Sequence, residues 1–309
     1  MASAFHVYFG PEAFSTPVEV RKIEPRDCAL ALKEGFDDFL AMPTHPAFLG
    51  LFYALGGIAL AALSSFSNAL QLIFPFAAGF ALIGPFFAVG LYELSRRREA
   101  GLQASWRDAF EVFRSPALPS IIALGFYLLA IFAIWVGVAE ALYVWFYGPK
   151  PPAAALPFLH DVLTTGSGWQ LMIWGGLIGF CFAVMALCVS IISFPLMLDR
   201  DVGLVPAVVA SVQFARENPG PVALWGLIVA AGMALGAATL FIGFAVIFPV
   251  LGHATWRLYR RAAARETSRE ALIETSDWPG LAEIPALKPL WTFLDLSYFL
   301  REKKPSLKD

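Results

Sequence analysis

The feature that most constrains this chain is a set of long apolar stretches that carry almost no charge. The longest runs from Val222 to Thr255 without an aspartate, glutamate, lysine or arginine. A helix that crosses the ~30 Å apolar core of a bilayer needs ~20 such residues. The remaining stretches are Pro46–Ser64, Ala69–Leu91, Ser120–Tyr147 and Trp169–Leu198. The third of these contains one charged residue, Glu140. The pattern predicts a chain that crosses a membrane several times.

The composition agrees with a membrane protein and excludes other classes. Apolar residues make up 58% of the chain and charged residues 15%, against ~45–50% and ~25% in soluble domains. The net charge of −2 provides no basic surface for a nucleic acid. Three cysteines offer neither a disulfide framework nor a zinc spacing. Because nucleotide-binding and hydrolase motifs are also missing, we expect no enzyme activity and no cofactor.

The longest apolar block requires two helices rather than one. A single helix would be ~50 Å long at ~1.5 Å per residue, which is more than a bilayer needs. Gly236 and Gly243 flank its middle, and glycine permits the tight turn of a helical hairpin. Spans at about 221–239 and 241–261 bring the total to six transmembrane helices.

The basic residues predict the orientation, because lysines and arginines near span ends stay in the cytoplasm. With six spans, 21 of the 22 lie on one side and only Lys150 lies on the other. We therefore expect a multi-pass protein of a bacterial inner membrane with both termini in the cytoplasm. Five spans would export the ten basic residues from Arg257 onward.

Three related units recur along the chain. Gly79–Pro85 resembles Gly243–Pro249, and in both cases a charged residue follows the proline by eight positions and two arginines come soon after. Pro195 has a similar place before Asp199 and Arg200. A proline near the cytoplasmic end of each even-numbered span predicts a kink there.

An amphipathic segment precedes each odd-numbered span, and such a helix is expected to lie along the membrane surface. The apolar residues that recur at helical spacing are Cys28, Leu32, Phe36, Phe39 and Leu40 in the first segment, Trp106, Phe110 and Phe113 in the second, and Val205, Val208, Val209 and Val212 in the third. A repeat of this kind fits a bundle around a central cavity and a bundle without one equally well.

The predicted fold is therefore an all-α membrane protein of six transmembrane helices in three pseudo-repeats, each preceded by an interfacial amphipathic helix. An N-terminal cytoplasmic segment covers residues 1–24. The membrane domain covers 25–262, with repeats at about 25–98, 99–200 and 201–262. A cytoplasmic tail covers 263–309.

Two ionisable residues lie within predicted spans, where such groups are candidates for function. His253 is the only histidine in a span, and haem or copper ligation would need a partner, for which only His45 lies at a similar depth. We favour a packing role for His253, with a hydrogen bond to a backbone carbonyl freed by Pro249. Glu140 is the only carboxylate in a span. A proton relay would need further carboxylates, so we favour solvation at the outer interface. No metal is expected at either residue.

The tail ends in a segment that is too apolar to remain in water and too short to span a bilayer. Residues 291–300 contain seven large apolar side chains and are flanked by basic residues. Burying each side chain is worth ~1.5–3 kcal/mol, so we expect docking on a protein partner or, as a second choice, on lipid. The docking candidates are Trp291, Phe293, Leu294, Tyr298 and Phe299.

Two stretches resemble a family of uncharacterised proteobacterial integral membrane proteins. They are Phe-Pro-Val-Leu-Gly-His-Ala-Thr-Trp-Arg-Leu-Tyr-Arg at 248–260 and Gly-Pro-Phe-Phe-Ala-Val-Gly-Leu-Tyr-Glu-Leu-Ser-Arg at 84–96. The resemblance covers about residues 20–262. Some members are labelled cytochrome c oxidase subunits, which implies association with respiratory complexes. The four histidines of this chain are too few for a haem–copper catalytic subunit.

The expected function is a non-catalytic accessory or scaffold subunit of the inner membrane, beside a respiratory or other energy-transducing complex. The expected partners are the lipid bilayer and other membrane-protein subunits, with no nucleic acid. The alternative is a transporter or channel for a small apolar or lipid-like solute, because proline-bearing spans in repeated positions occur around transport sites.

Overall fold

The computed structural model describes residues 18–42, 54–59, 62, 69–200, 202–239 and 241–263. Within these ranges the secondary structure is helical and contains no strand, and one isolated bridge joins Val20 to Ala263. All of these residues belong to one compact unit, Met1–Arg265. The second unit, Glu266–Asp309, lies outside the described residues, and so do the tail segment 291–300 and His45.

The described part of the chain consists of α-helices and shorter 3₁₀ helices. In chain order they are α1 (Pro25–Ala41), α2 (Ile73–Phe80), α3 (Gly84–Phe87), α4 (Val89–Glu99), α5 (Leu118–Tyr147), α6 (Ala155–Thr164), α7 (Gly166–Ser190), α8 (Ser193–Arg200), α9 (Leu204–Glu217), α10 (Pro219–Ala238) and α11 (Phe244–Ala262). Helices of the 3₁₀ type lie at Leu70–Leu72, Ala81–Ile83 and Trp106–Arg114.

Among the described residues, four helical stretches are long and apolar enough to cross a membrane. They are Leu70–Glu99, Leu118–Tyr147, Gly166–Arg200 and Pro219–Ala238, and they coincide with predicted spans two to five. Most of predicted span one, residues 46–64, lies outside the described residues. Predicted span six forms α11, which is not one of the four because arginines occupy its last turns.

The charge-free block is divided into two helices, α10 and α11, as the sequence predicts. The turn between them is not made by a glycine in the left-handed region. Phe241 has a φ of 68°, which is uncommon for a residue with a β-carbon. The hydroxyl of Thr239 accepts a hydrogen bond from the nitrogen of Gly243 at 3.0 Å and holds the turn from the other side.

Helices α4, α8 and α11 pack against one another. Large side chains of all three helices lie at the centre of this contact. The buried residues that fill this region include Leu91, Tyr92, Phe194, Met197, Trp256 and Tyr259.

The predicted amphipathic segments pack beside these three helices. The 3₁₀ helix Trp106–Arg114 contacts α4, α9 contacts α8, and α1 contacts α11. A β-carbon on Gly35 of α1 would lie 2.5 Å from the backbone nitrogen of Ala254, so α1 and α11 cross at backbone distance. Just before α1, the nitrogen of Arg21 donates to the carbonyl of Ala262 at 2.7 Å. Residues from Arg21 through α1 therefore pack along α11.

Helix α1 buries only part of its predicted apolar stripe, including Cys28 and Phe39. Cys28 and Ala31 are fully buried, and with Gly35 they form the small-residue side that allows α11 to approach. Phe36 and Leu40 are exposed. The predicted apolar stripe is therefore divided between a protein-facing side and an outward side.

Candidate functional site

The most concentrated set of polar contacts joins the C-terminal ends of α4, α8 and α11 to one another and joins α1 to α4 and α11. Its centre is Asp38 of α1, which is 2% exposed. Arg257 of α11 binds this carboxylate through two hydrogen bonds of 2.8 and 2.9 Å, and Arg98 of α4 lies 3.2 Å from the same carboxylate. A buried carboxylate is tolerated only when it is paired and hydrogen-bonded. We call Asp38, Arg98 and Arg257 the Asp38 cluster.

A second ion pair joins α1 to α11, one helical turn from the pair of Asp38 and Arg257. The guanidinium of Arg261 donates to both carboxylate oxygens of Glu34, at 2.6 and 3.0 Å. This hydrogen bonding holds the pKa of Glu34 below its usual value, although partial burial opposes the shift. Asp27 lies 3.8 Å from Arg261. Three acidic residues of α1 thus face two arginines of α11 across this contact.

A third group of contacts ties the ends of α4, α8 and α11 directly to one another. Arg260 of α11 binds Glu99 of α4 at 3.0 Å and Asp199 of α8 at 2.9 Å. Trp256 donates its indole N–H to Glu99 at 3.0 Å, and the hydroxyl of Tyr259 donates to Asp199 at 2.6 Å. We call these five residues the Arg260 bridge. It closes the centre of the three-helix core with a cation, two carboxylates and two buried rings.

The remaining arginines of α4 are paired as well. Glu93 is 2% exposed, and it accepts hydrogen bonds from Arg96 at 2.7 Å and from Arg97 at 2.9 Å. Arg97 also binds Asp108 of the 3₁₀ helix at 2.9 Å. This pair fixes the second amphipathic segment to the side of α4.

His253 lies beside the Asp38 cluster, is fully buried, and is hydrogen-bonded through one nitrogen. Its Nδ1 is 2.6 Å from the hydroxyl oxygen of Ser95, which in turn lies 3.3 Å from Asp38. The partner is therefore a serine of α4 and not the backbone carbonyl that the sequence suggested. Among the described residues, Nε2 has no hydrogen-bond partner. If Ser95 donates to Asp38, then His253 donates from Nδ1 and Nε2 is a buried acceptor.

Glu140 belongs to a separate polar group near the end of α5. Its carboxylate accepts a hydrogen bond from the amide of Gln71 at 3.2 Å. Close to it in the chain, the hydroxyl of Tyr143 donates to the carbonyl of Lys150 at 2.7 Å. In the described part of the chain, the oxygen of the Gln71 side chain and the hydroxyl of Tyr147 are buried without partners.

No group of three or more histidine, cysteine, aspartate or glutamate side chains that could hold a metal ion occurs among the described residues. Of the two candidate residues within predicted spans, His253 lies with Ser95 and Asp38, and Glu140 lies with Gln71. Asp38, Ser95 and Glu99 are not among the site residues that the sequence predicts. One signal in the sequence points to this region. Glu93 and the arginines that follow it stand at a spacing from a proline that recurs later in the chain, and arginines at the end of an apolar helix need acidic partners.

Residues 73–199 match the model of a family described as "Predicted integral membrane protein (DUF2189)". This region covers the first three of the four apolar stretches almost completely. The chain is a multi-pass integral membrane protein. No curated protein and no solved structure matches it.

In a membrane protein this arrangement of charges has a mechanical consequence. The charged side chains lie on α1 and near the ends of α4, α8 and α11, and Asp38 and Glu93 among them are withdrawn from solvent. Removing one partner of a buried ion pair costs ~3–5 kcal/mol, because the other charge remains without compensation. The clusters therefore hold α1, α4, α8 and α11 in one register.

Proposed function

We propose that the chain is a non-catalytic accessory or scaffold subunit that binds other membrane-protein subunits in a bacterial inner membrane, with both termini in the cytoplasm. The observation that carries this proposal is the filled centre of the α4–α8–α11 core. Tyr92, Trp256 and Tyr259 are almost completely buried there, and Arg260 binds the two carboxylates beside them. A core that is packed and ion-paired at this end suits a rigid support.

The architecture that we propose for this support is a ring of three units. Each unit has an interfacial helix and two spans, which gives six spans in total. Three packing contacts support it: the 3₁₀ helix Trp106–Arg114 with α4, α9 with α8, and α1 with α11. In each case an amphipathic segment lies against the end of an even-numbered span. The third contact joins the first and last units and so makes the order of units cyclic.

The outward surface of the spans supports a binding role. In each of the four spanning stretches, at most 33% of the most apolar part is buried. On α7, Trp174, Leu177 and Phe180 are all exposed. This surface is available to lipid and to neighbouring subunits. The resemblance of residues 248–260 to the family with respiratory labels favours a respiratory or other energy-transducing complex as the partner.

The exposed Cys181 provides a direct test. It lies on α7 beside Phe180, whereas Cys28 is buried and Cys188 is only partly exposed. A photoreactive maleimide attached to Cys181 in native membranes should give, after illumination, a covalent adduct with a second protein. The Cys181→Ser variant, treated in the same way, is the matched control and should give none.

Native gels after mild solubilisation complete the test. We expect migration as a complex larger than the 33.7 kDa chain. Migration only as a single chain, with adducts to lipid alone, would contradict the accessory role.

The alternative function, transport of a small apolar or lipid-like solute, is favoured by one observation. The stretch Leu70–Glu99 is not a continuous α-helix, because the 3₁₀ helix Ala81–Ile83 interrupts it just before Pro85. Broken helices of this kind occur at transport sites. Vesicles that contain the purified chain should then take up a fluorescent lipid faster than empty vesicles, and locking the Arg260 bridge by cross-linking should stop the uptake.

A further inference from the structure

The second amphipathic segment presents an aromatic column that the core does not use. It is a 3₁₀ helix, in which residues three apart lie above one another. Ala109 and Val112 form the buried column. Arg107, Phe110 and Phe113 form a second column, and all three are exposed. The rings of Phe110 and Phe113 are stacked, with centroids 6.2 Å apart and planes inclined by 16°.

The segment lies beside α4 and not beyond its end. A β-carbon on Gly90 would be 3.2 Å from the β-carbon of Ala109, and Arg97 binds Asp108 at 2.9 Å. Gly90 precedes Glu99, the last residue of the spanning stretch, by nine positions, or ~13 Å of helix. The aromatic column is therefore at the depth of the last turns of a membrane-crossing helix. At that depth lipid headgroups meet acyl chains, and aromatic side chains are enriched.

The charges of the column select the kind of lipid. The guanidinium of Arg107 lies 5.5 Å from the centroid of the Trp106 ring, and within the described chain no carboxylate pairs with it. By contrast, Arg114 on the adjacent column binds Glu111 at 2.7 Å. An arginine without an acidic partner, placed at the end of two stacked apolar rings, has the chemistry to hold a phosphate above an acyl chain.

We propose that Arg107, Phe110 and Phe113 form a binding site for an anionic phospholipid, with its phosphate on Arg107 and an acyl chain along the two rings. The proposal rests on the interfacial position that the proposed architecture gives to this segment. It adds to that architecture a specific lipid class and the residue that recognises it. An anionic headgroup is favoured over a zwitterionic one because Arg107 supplies an uncompensated positive charge.

Native mass spectrometry of the full chain in mild detergent tests the headgroup. The chain is titrated with phosphatidylglycerol and, separately, with phosphatidylcholine. The Arg107→Gln variant should bind phosphatidylglycerol about fivefold more weakly than the natural chain, which corresponds to ~1 kcal/mol per basic side chain near an anionic leaflet. The Arg114→Gln variant removes the same charge from the same helix and should bind as the natural chain does. Equal binding by the Arg107→Gln variant and the natural chain would overturn the proposal.

A spin label tests the acyl-chain contact. It is placed at Phe113→Cys in a Cys181→Ser background and studied in vesicles that contain phosphatidylglycerol. Oxygen, which concentrates in lipid, should accelerate the relaxation of the spin label more than a water-soluble nickel complex does. A larger effect of nickel would place the column in water, and protection from both reagents would mean that protein covers it. Either result would refute lipid binding. Loss of lipid with an unchanged Cys181 adduct would leave the accessory role intact.

Discussion

Replacing Arg257 with methionine should be among the most costly single changes in the chain. It removes the two shortest hydrogen bonds to Asp38, of 2.8 and 2.9 Å, and leaves a carboxylate that is 2% exposed. Breaking a buried pair in this way costs ~3–5 kcal/mol. Because Arg98 and Ser95 remain at 3.2 and 3.3 Å, we expect the lower end, ~3 kcal/mol. That corresponds to a ~10²-fold change in the folding equilibrium.

The free energy of unfolding can be measured by titrating the chain from mild detergent into mixed SDS micelles and following the loss of tertiary structure. Arg114→Met is the matched control, since Arg114 is 80% exposed and its pair with Glu111 should contribute no more than ~1 kcal/mol. The double variant Asp38→Asn with Arg257→Met removes the stranded charge and should regain part of the loss. The buried pair does not stabilise the fold in this way if Arg257→Met costs no more than Arg114→Met, or if the double variant is no more stable than the single one.

Three further changes follow from the same contacts. Gly35→Val places a side chain against the backbone of α11 and should destabilise the chain by ~1–3 kcal/mol in the same titration, whereas no loss would mean that α1 can shift without cost. The folded-state pKa of Glu34 is held below its unfolded value of ~4.3, so its contribution is full above that pH and is lost as the pH falls through the folded pKa. The pH dependence of stability below pH ~4 should flatten in Glu34→Gln but not in a variant of an exposed acidic residue. Deleting 288–309, which lies outside the described residues, should leave the spans inserted but reduce the recovery of the partner, and an unchanged yield would show that this segment is not the contact.

The spanning helices could be predicted from sequence because their signal is local. An apolar stretch of sufficient length, such as Trp169–Leu198, needs no knowledge of its neighbours. The division of the charge-free block was predicted for a related reason, since one helix would have been too long for a bilayer. The residue that makes the turn, Phe241 with a φ of 68°, was not predicted, because no sequence rule selects a phenylalanine for that conformation.

The ion pairs could not be predicted, because they depend on which helices become neighbours. Asp38 lies between apolar residues of a segment that was expected to lie on the membrane surface, yet it is buried against Arg257. His253 was expected to bond to the backbone, but its partner Ser95 lies on a different helix. Nothing in the sequence near either residue indicates the packing of α1 on α11.

The type of helix in the second amphipathic segment was predicted wrongly. Trp106, Phe110 and Phe113 were placed on one face at α-helical spacing, but the segment is a 3₁₀ helix and only the last two share a column. The capping box of Ser105 and Asp108 can begin either kind of helix, so the sequence does not distinguish them. The aromatic rings are exposed as expected, while the small residues Ala109 and Val112 face the protein.

The contact between α1 and α11 also determines the order in which the domain can be completed. Asp38 and Arg257 are 219 positions apart in the chain, and ribosomes add ~5–20 residues each second. Helix α1 is therefore made ~10–40 s before its partner. Until α11 is made, the small-residue side of α1 is uncovered and the carboxylate of Asp38 lacks the donors of Arg257. The synthesis of α11 then covers this surface and gives Asp38 its two hydrogen bonds from Arg257.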